Sequence, residues 1–317
     1  MSTSGQTLAP GTVIDSKYRI EAYIGRGGLG AVYRAIHRSA PGAVALKVLR
    51  EKYCRDVNAI ERFLDVAIRA AAIGHENIGD ITDHGLHEGA VPYLVMPLFE
   101  GRSLKKMIRE RDATLTRGRI VEIFRQTLSA LDAAHAAGIS HRDLMPGNIF
   151  ITSHERGDCV KLLDFGIAEI IESDTVTEHA RAGTIIGTPY YRAPEQIRGV
   201  IHSDPHVDIY AAGVILYEAL TGQLPYEGRS YNEVLFKIMA GPFLSPSRVA
   251  SDIPHFLEAI ILKAMAKDPA ARFSSAAEMR MSHSSASNSA APRSGTSSTR
   301  RRSSGCASTR LRSWRAR

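Results

Sequence analysis

The chain changes texture near Gly101, and that change limits the folds open to it more than any other feature. Residues 18–96 carry short alternating runs: Tyr18 to Ile24, Ala31 to Ala35 and Val44 to Leu49, punctuated by Gly and Pro. Such runs predict antiparallel strands joined by short turns. One helical stretch interrupts them, from Asn58 to Ile73, and two further strands are expected near Ile78–Asp83 and Tyr93–Met96. Beyond Gly101 the period lengthens. Ile120, Phe124, Leu128, Leu131 and His135 recur at three- or four-residue spacing, which predicts an amphipathic helix ended by Gly138. Asp208 to Thr221 is apolar nearly all round, as a buried helix is, with Gly222 where a C-terminal cap belongs. Strands first and helices second imply an α+β architecture with two lobes.

Length and charge refine this. At roughly 150 residues per domain, 317 residues predict about two globular units. The net charge of +7 belongs to the C-terminal segment: residues 281–317 hold eight Arg, no Lys and no acid, which leaves residues 1–280 near −1. With 12 Ser in those 37 residues and few apolar side chains, the segment is expected to be a disordered Ser/Arg-rich basic tail. Nucleic acid is expected there only as a non-specific contact. The body is expected to end after Ala276 to Arg280, a helix begun and not completed. The longest apolar stretch, Ile209 to Tyr217, falls short of the ~20 residues of a membrane span. The first ten residues show no signal peptide, and Cys54, Cys159 and Cys306 form no CxxC pair, so reduced thiols and a cytoplasmic protein are expected.

The chemistry lies in five motifs. Gly25-Arg26-Gly27-Gly28-Leu29-Gly30-Ala31-Val32 fits G-x-G-x-x-G-x-V. A strand follows it rather than the helix a dinucleotide-binding turn requires, which favours a glycine-rich hairpin lying over a nucleotide. Val44-Ala45-Leu46-Lys47 then supplies a cation suited to phosphates. His141-Arg142-Asp143-Leu144-Met145-Pro146-Gly147-Asn148, Asp164-Phe165-Gly166 and Ala193-Pro194-Glu195 complete the set. In this order the motifs resemble the eukaryotic-type protein kinases, in the style of the bacterial Ser/Thr kinases, over roughly 18–280.

The resemblance implies a two-lobed kinase fold: an antiparallel-sheet N-lobe with one main helix (13–96), a hinge (97–101) and a mostly helical C-lobe (102–280), after an N-terminal extension (1–12). It implies ATP and Mg²⁺ as cofactors, with Mn²⁺ an alternative metal, and Ser/Thr hydroxyls of proteins as substrates. Asp143 would accept the proton of the substrate hydroxyl, Lys47 would meet the phosphates, Asn148 and Asp164 would offer oxygens to the metal, and Thr188 would help position the base and the substrate. Gly25, Gly27 and Gly30 would cover the phosphates. Ile24, Val32, Ala45 and Phe150 would wall the adenine, beside the gatekeeper Met96, with the Pro97 carbonyl and the Phe99 N–H holding it. Asp208 matches a buried brace of the H-R-D backbone, and Glu195 with Arg272 matches a structural ion pair. Thr184, Thr177 and Thr175 are expected autophosphorylation sites, with Arg142 placed to pair with a phosphate on Thr184. His84 and His87, near Asp83 and Glu88, read as a solvated turn between strands rather than a metal site.

Two positions depart from the family. Met145 stands where a lysine usually contacts the γ-phosphate, and Met neither donates nor carries charge. Val66 stands where the helix glutamate that pairs with the strand lysine is expected. Asp65 is adjacent but turned by about 100°, and Glu61 is more than a turn away. Lys47, Asp143, Asn148 and Asp164 make up a complete minimum set, which favours an enzyme. Val66 and Met145 are the grounds for the alternative, a pseudokinase acting as a nucleotide-binding or scaffolding module.

Overall fold

The computed structural model describes residues 8–26, 30–54, 57–154, 157–165, 189–199 and 204–289. Its first half is a sheet of β1 (Val13–Ile14), β2 (Tyr18–Arg26), β3 (Gly30–His37), β4 (Ala43–Leu49), β5 (Asp83–His87) and β6 (Val91–Pro97), with helix α1 (Val57–Ala72) between β4 and β5. The strand order is β1-β2-β3-β4-β6-β5, antiparallel throughout. Ile20, Tyr33, Leu46, Tyr93 and Val95 form one core on this sheet, while Leu49, Phe63 and Leu94 pack with α1 in a second.

The chain then crosses through residues 98–101 into a small sheet, β7 (Arg102–Ser103), β8 (Ile149–His154) and β9 (Gly157–Leu162), that sits against the helices. Helices α2 (Leu104–Arg109) and α3 (Arg117–Ala136) start on side-chain caps, with Ser103 accepting from the Lys106 N–H and Thr116 from the Arg119 N–H. After α4 (Pro194–Ile197) comes α5 (His206–Thr221), whose residues Val207 to Tyr217 are all buried. It ends at Gly222 in the left-handed region, φ 70°. Gly213 lets the helix that ends at Ala264 pack on α5, since a Cβ there would lie 2.8 Å from the Ala264 methyl. Helices α6 (Tyr231–Ala240), α7 (Pro246–Val249), α8 (His255–Ala264) and α9 (Ala276–Ser289) complete the lobe. Among the described residues no helix is long and apolar enough to cross a membrane.

Three boundaries differ from the sequence expectation. The strand expected over Ile78–Asp83 is instead Asp83–His87: the main chain at Ile78 and Gly79 bonds to Leu162, with the Gly79 N–H on the Leu162 carbonyl at 2.9 Å, and pairing with β6 begins only where the Thr82 N–H meets the Val95 carbonyl at 2.8 Å. His84 and His87 therefore lie on a strand, and the turn is at Glu88 and Gly89, both at positive φ. The last helix does not stop near Arg280 but runs to Ser289, inside the segment expected to be disordered from 281.

Candidate active site

Strand register builds the upper half of the site. Val32 pairs with Lys47, Lys47 with Leu94 and Ala45 with Met96, so these side chains share one face of the sheet. The hairpin glycines have different duties. A Cβ at Gly30 would sit 2.4 Å from the Val48 carbonyl oxygen, so Gly30 is required by the packing of β3 on β4. Gly25 has open space at the same point, as a loop over a ligand needs. Gly27 lies outside the described residues. Ile24 leaves its side chain half exposed beside this opening. Pro97 ends β6 opposite Val44. Phe99 packs tilted against Phe150 of β8, ring centroids 6.4 Å apart, which closes the crossing on the C-lobe side.

Lys47 is buried, 1% exposed, and its Nζ lies 2.6 Å from Asp164 Oδ1. The contact is one of charge, since no aligned hydrogen bond serves Nζ among the described residues. Neither acid of α1 near position 66 takes up the lysine. Asp65 points to solvent, 62% exposed, and pairs with Arg69 at 3.4 Å, and Glu61 is exposed. The space behind Met96 is apolar, a cavity of about 30 Å³ bordered by Ala67, Ala70, Leu94 and Phe165.

The lower half is a tightly bonded loop. The Asp143 N–H donates to the His141 carbonyl at 2.8 Å, which closes a three-residue turn around Arg142 at φ 63°. A γ-turn with its central residue at positive φ is rare, and holding a non-glycine residue there costs about 1–3 kcal/mol. Asp208, fully buried, holds the turn from below: it accepts from the His141 N–H at 2.7 Å and the Arg142 N–H at 2.8 Å, and meets the His135 ring at 2.8 Å. The Arg142 carbonyl accepts from Gln196 Nε2 at 2.9 Å. The Asp143 carbonyl accepts from Asn148 Nδ2 at 2.8 Å, which turns the amide oxygen of Asn148 to the other side. Asp164 is itself left-handed, φ 65°, and the preceding Leu163 bonds to Asn148 through its N–H (2.9 Å) and to His141 Nε2 through its carbonyl (2.9 Å). Asp143, Asn148 and Asp164 are thus laced together, with Lys47 reaching Asp164 from above.

The Asp143 carboxyl is pushed above the usual carboxylate range. Burial is the main cause and the Asp164 charge adds to it, against the opposing pull of His141, Arg192 and Lys47. Raised basicity suits a proton acceptor. Met145 packs against the C-lobe core and brings no charge. Glu195 and Arg272 form the expected ion pair, buried and bidentate at 2.6 and 2.8 Å. Thr188, Thr184, Thr177 and Thr175 lie outside the described residues. Sequence reasoning missed Gln196 as a partner of the catalytic loop, and it treated His135 only as a helix-face residue.

A glycine-containing strand pair above a buried lysine, facing a braced loop that carries Asp143 and Asn148 with Asp164 beside it, is the architecture of a protein kinase. The chain belongs to that family: the protein kinase domain model matches residues 18–284. The serine/threonine-protein kinase pkn3 of Myxococcus xanthus is 41% identical over 270 residues, covering 84% of this chain and 49% of that protein. The serine/threonine-protein kinase PknB of Mycolicibacterium smegmatis is 36% identical over 270 residues, 84% of this chain and 42% of that protein. The chain therefore spans about half or less of the length of these relatives. Among solved structures, the PknI kinase domain of Mycobacterium tuberculosis aligns with a TM-score of 0.68 at 26% identity, covering 88% of this chain and 99% of that one. Rad53 (residues 1–466), in complex with AMP-PNP, aligns with a TM-score of 0.68 at 28% identity, over 83% of this chain and 64% of that one.

Proposed function

We propose that this chain is a protein Ser/Thr kinase that transfers the γ-phosphoryl group of ATP to Ser and Thr hydroxyls of proteins with the help of Mg²⁺. The observation that carries the reading is the convergence of Lys47, Asp143, Asn148 and Asp164 on one cleft. The residues fit the groups required. Lys47 Nζ is a buried cation with no aligned hydrogen bond among the described residues, which is where phosphate oxygens would serve it. Asn148 and Asp164 supply amide and carboxylate oxygens, the donors a hard cation prefers, and Mn²⁺ would be accepted by the same set. Rad53, a structural relative, carries an ATP analogue.

The bound nucleotide and metal would supply the phosphoryl group and neutralise its charge. The protein's own residues do the rest. Asp143 Oδ takes the proton of the substrate hydroxyl as its oxygen attacks, a transfer that its raised basicity favours. Lys47 balances phosphate charge from a site where burial strengthens the interaction. Ile24, Val32, Ala45, Met96 and Phe150 offer the adenine apolar contact, and the main chain of Pro97 and Phe99 would hold its edge. Thr188 would orient base and substrate, and Gly27 would close over the phosphates. Thr184, Thr177 and Thr175 are the proposed sites of autophosphorylation. The proposed compartment is the cytoplasm, where thiols such as Cys54 stay reduced. The pseudokinase alternative draws no support from the relatives, which are named as kinases.

The test is transfer from [γ-³²P]ATP with Mg²⁺, to the chain itself and to a generic basic protein. The expected result is label that disappears in Asp143→Asn while the fold and nucleotide binding persist. Equal label in parent and variant would defeat the assignment of Asp143 and, with it, the kinase reading.

A further inference from the structure

One buried side chain joins the catalytic loop to the segment that follows the activation loop, and none of the five motifs includes it. Gln196 is 7% exposed and sits in the third position of α4, immediately after Ala193-Pro194-Glu195. Its two amide atoms serve two different chain segments. Oε1 accepts from the Ala193 N–H at 2.9 Å, half of a capping arrangement that Ala193 cannot return. Nε2 donates to the Arg142 carbonyl at 2.9 Å.

That carbonyl belongs to the strained peptide of the γ-turn. Arg142, at φ 63°, is the residue whose rotation sets the direction in which Asp143 leaves the turn. The His141 and Arg142 N–H groups are held by Asp208, the Asp143 N–H by the His141 carbonyl and the Asp143 carbonyl by Asn148. Gln196 holds the Arg142–Asp143 peptide itself. Its far end is fixed in turn, because Glu195, the residue before it, is locked to buried Arg272.

We infer that Gln196 is a positioning residue for the reaction: it pins the Arg142–Asp143 peptide so that Asp143 faces the substrate hydroxyl, and it makes that orientation depend on the order of residues 189–197. This rests on the kinase reading above. A group acting this way changes turnover and leaves nucleotide binding alone, since it touches neither the glycine hairpin, Lys47 nor the hinge. A misplacement of the base by about 1 Å can cost roughly 10²-fold in rate.

Two variants of the full chain separate this role from simple helix capping. Gln196→Glu keeps the acceptor for Ala193 and offers no donor to the Arg142 carbonyl. Gln196→Met matches the side chain in length and loses both bonds. Initial rates are measured against ATP concentration for parent, both variants and Asp143→Asn, with ATP affinity read separately by calorimetry and folding by thermal melting. The expected result is a kcat lowered roughly 10²-fold in both variants, with ATP affinity unchanged and both variants still melting cooperatively, the Gln196→Glu melt below the parent's because its buried carboxylate oxygen faces a carbonyl oxygen. A Gln196→Glu variant with parental kcat overturns the inference, whatever Gln196→Met does, because the bond to Arg142 is then idle. Variants that lose kcat, ATP affinity and cooperative melting together overturn it too, and leave Gln196 a folding residue. A parent without Asp143-dependent transfer defeats the kinase reading and this inference with it, whereas an active parent beside equally active variants defeats the inference alone.

Discussion

Asp208→Asn tests the brace beneath the catalytic loop. The Asp208 carboxylate is fully buried and meets three donors: the N–H groups of His141 and Arg142 at 2.7 and 2.8 Å and the His135 ring at 2.8 Å. Asparagine has the same shape but keeps one oxygen and turns an NH₂ group toward a donor. Hydrogen bonds to a charged acceptor are worth roughly 1.5–3 kcal/mol and neutral ones about 0.5–1.5, so each of two retained bonds loses about 1 kcal/mol. The third donor now faces another N–H inside the protein, which costs a further ~1–3 kcal/mol. The total is about 3–5 kcal/mol, a fall of roughly 10 °C in Tm for a domain of this size. Turnover should fall by roughly 10²-fold as the turn relaxes and Asp143 loses its aim.

The same carboxylate carries a pH signature. Desolvation, the largest single influence, raises its pKa, but the bond from His135, the charges of His135 and His141 and the His141 N–H together hold it below the usual range. A depressed folded pKa means stability that is present above the unfolded value of about 3.9 and is lost as pH falls through the lower folded value. The parent should therefore lose stability steeply on the acid side, and the Asn variant should lose less. Melting curves between neutral and strongly acidic pH, with kcat at neutral pH, check both. A variant with the parent's Tm, acid slope and kcat would refute the brace.

Glu195→Ala should destabilise by about 3–5 kcal/mol, read as a urea midpoint, because it leaves the Arg272 guanidinium buried without its carboxylate; Glu195→Leu with Arg272→Met should recover most of that. An unchanged midpoint in the single variant would remove the argument. Met145→Lys together with Val66→Glu should raise kcat, by up to about 10²-fold if the new lysine acts as an electrostatic stabiliser of the transferred group, and no gain over the parent would count against that account of both positions. Lys267 is held down to about 8, first by burial and then by the charge of Arg272. Below that pH both folded and unfolded chains carry the proton, and the cost of the buried cation is present in full. As pH rises from about 8 toward the unfolded value of ~10.4, the folded chain releases the proton first, so stability should increase across that window. Lys267→Met should flatten the slope in a melting series over the same range.

Much of the candidate site was legible because the family's motifs are residue types in a fixed order. Lys47 lies far in sequence from Asp143, Asn148 and Asp164, and the structure brings the four together. The buried brace at Asp208 and the Glu195–Arg272 pair were legible for the same reason. What stayed hidden depends on main-chain geometry. Nothing in a residue string marks Arg142 as left-handed, and the partner of its carbonyl is 54 positions away. The strand before β6 was displaced because residues 77–79 bond to Leu162 instead of to β6, a tertiary choice that alternation cannot register. Helix α9 ran past Arg280 because helical hydrogen bonds are local and need no apolar stripe, whereas periodicity was the only signal available to end it. Gly30 shows the opposite failure. It matches the phosphate-loop pattern, yet the contact that excludes a side chain there is with the Val48 carbonyl.

The two departures from the family also constrain each other. Val66 removes a negative charge from beside Lys47, and Met145 removes a positive one from beside Asp143, so together they leave the net charge of the cleft as the family pattern has it. Within the described residues Asp164, the carboxylate proposed to hold the metal, meets Lys47 at 2.6 Å. A glutamate restored at 66 alone would relieve Asp164 of the lysine, but it would add an uncompensated charge to a cleft that already pushes the Asp143 carboxyl up. A lysine restored at 145 alone would bring Asp143 down and weaken it as a base. Each single restoration therefore carries a cost that the other removes. The double variant should exceed the product of the two single effects on kcat, a coupling expected of charges that share one cleft and absent from sites that act independently.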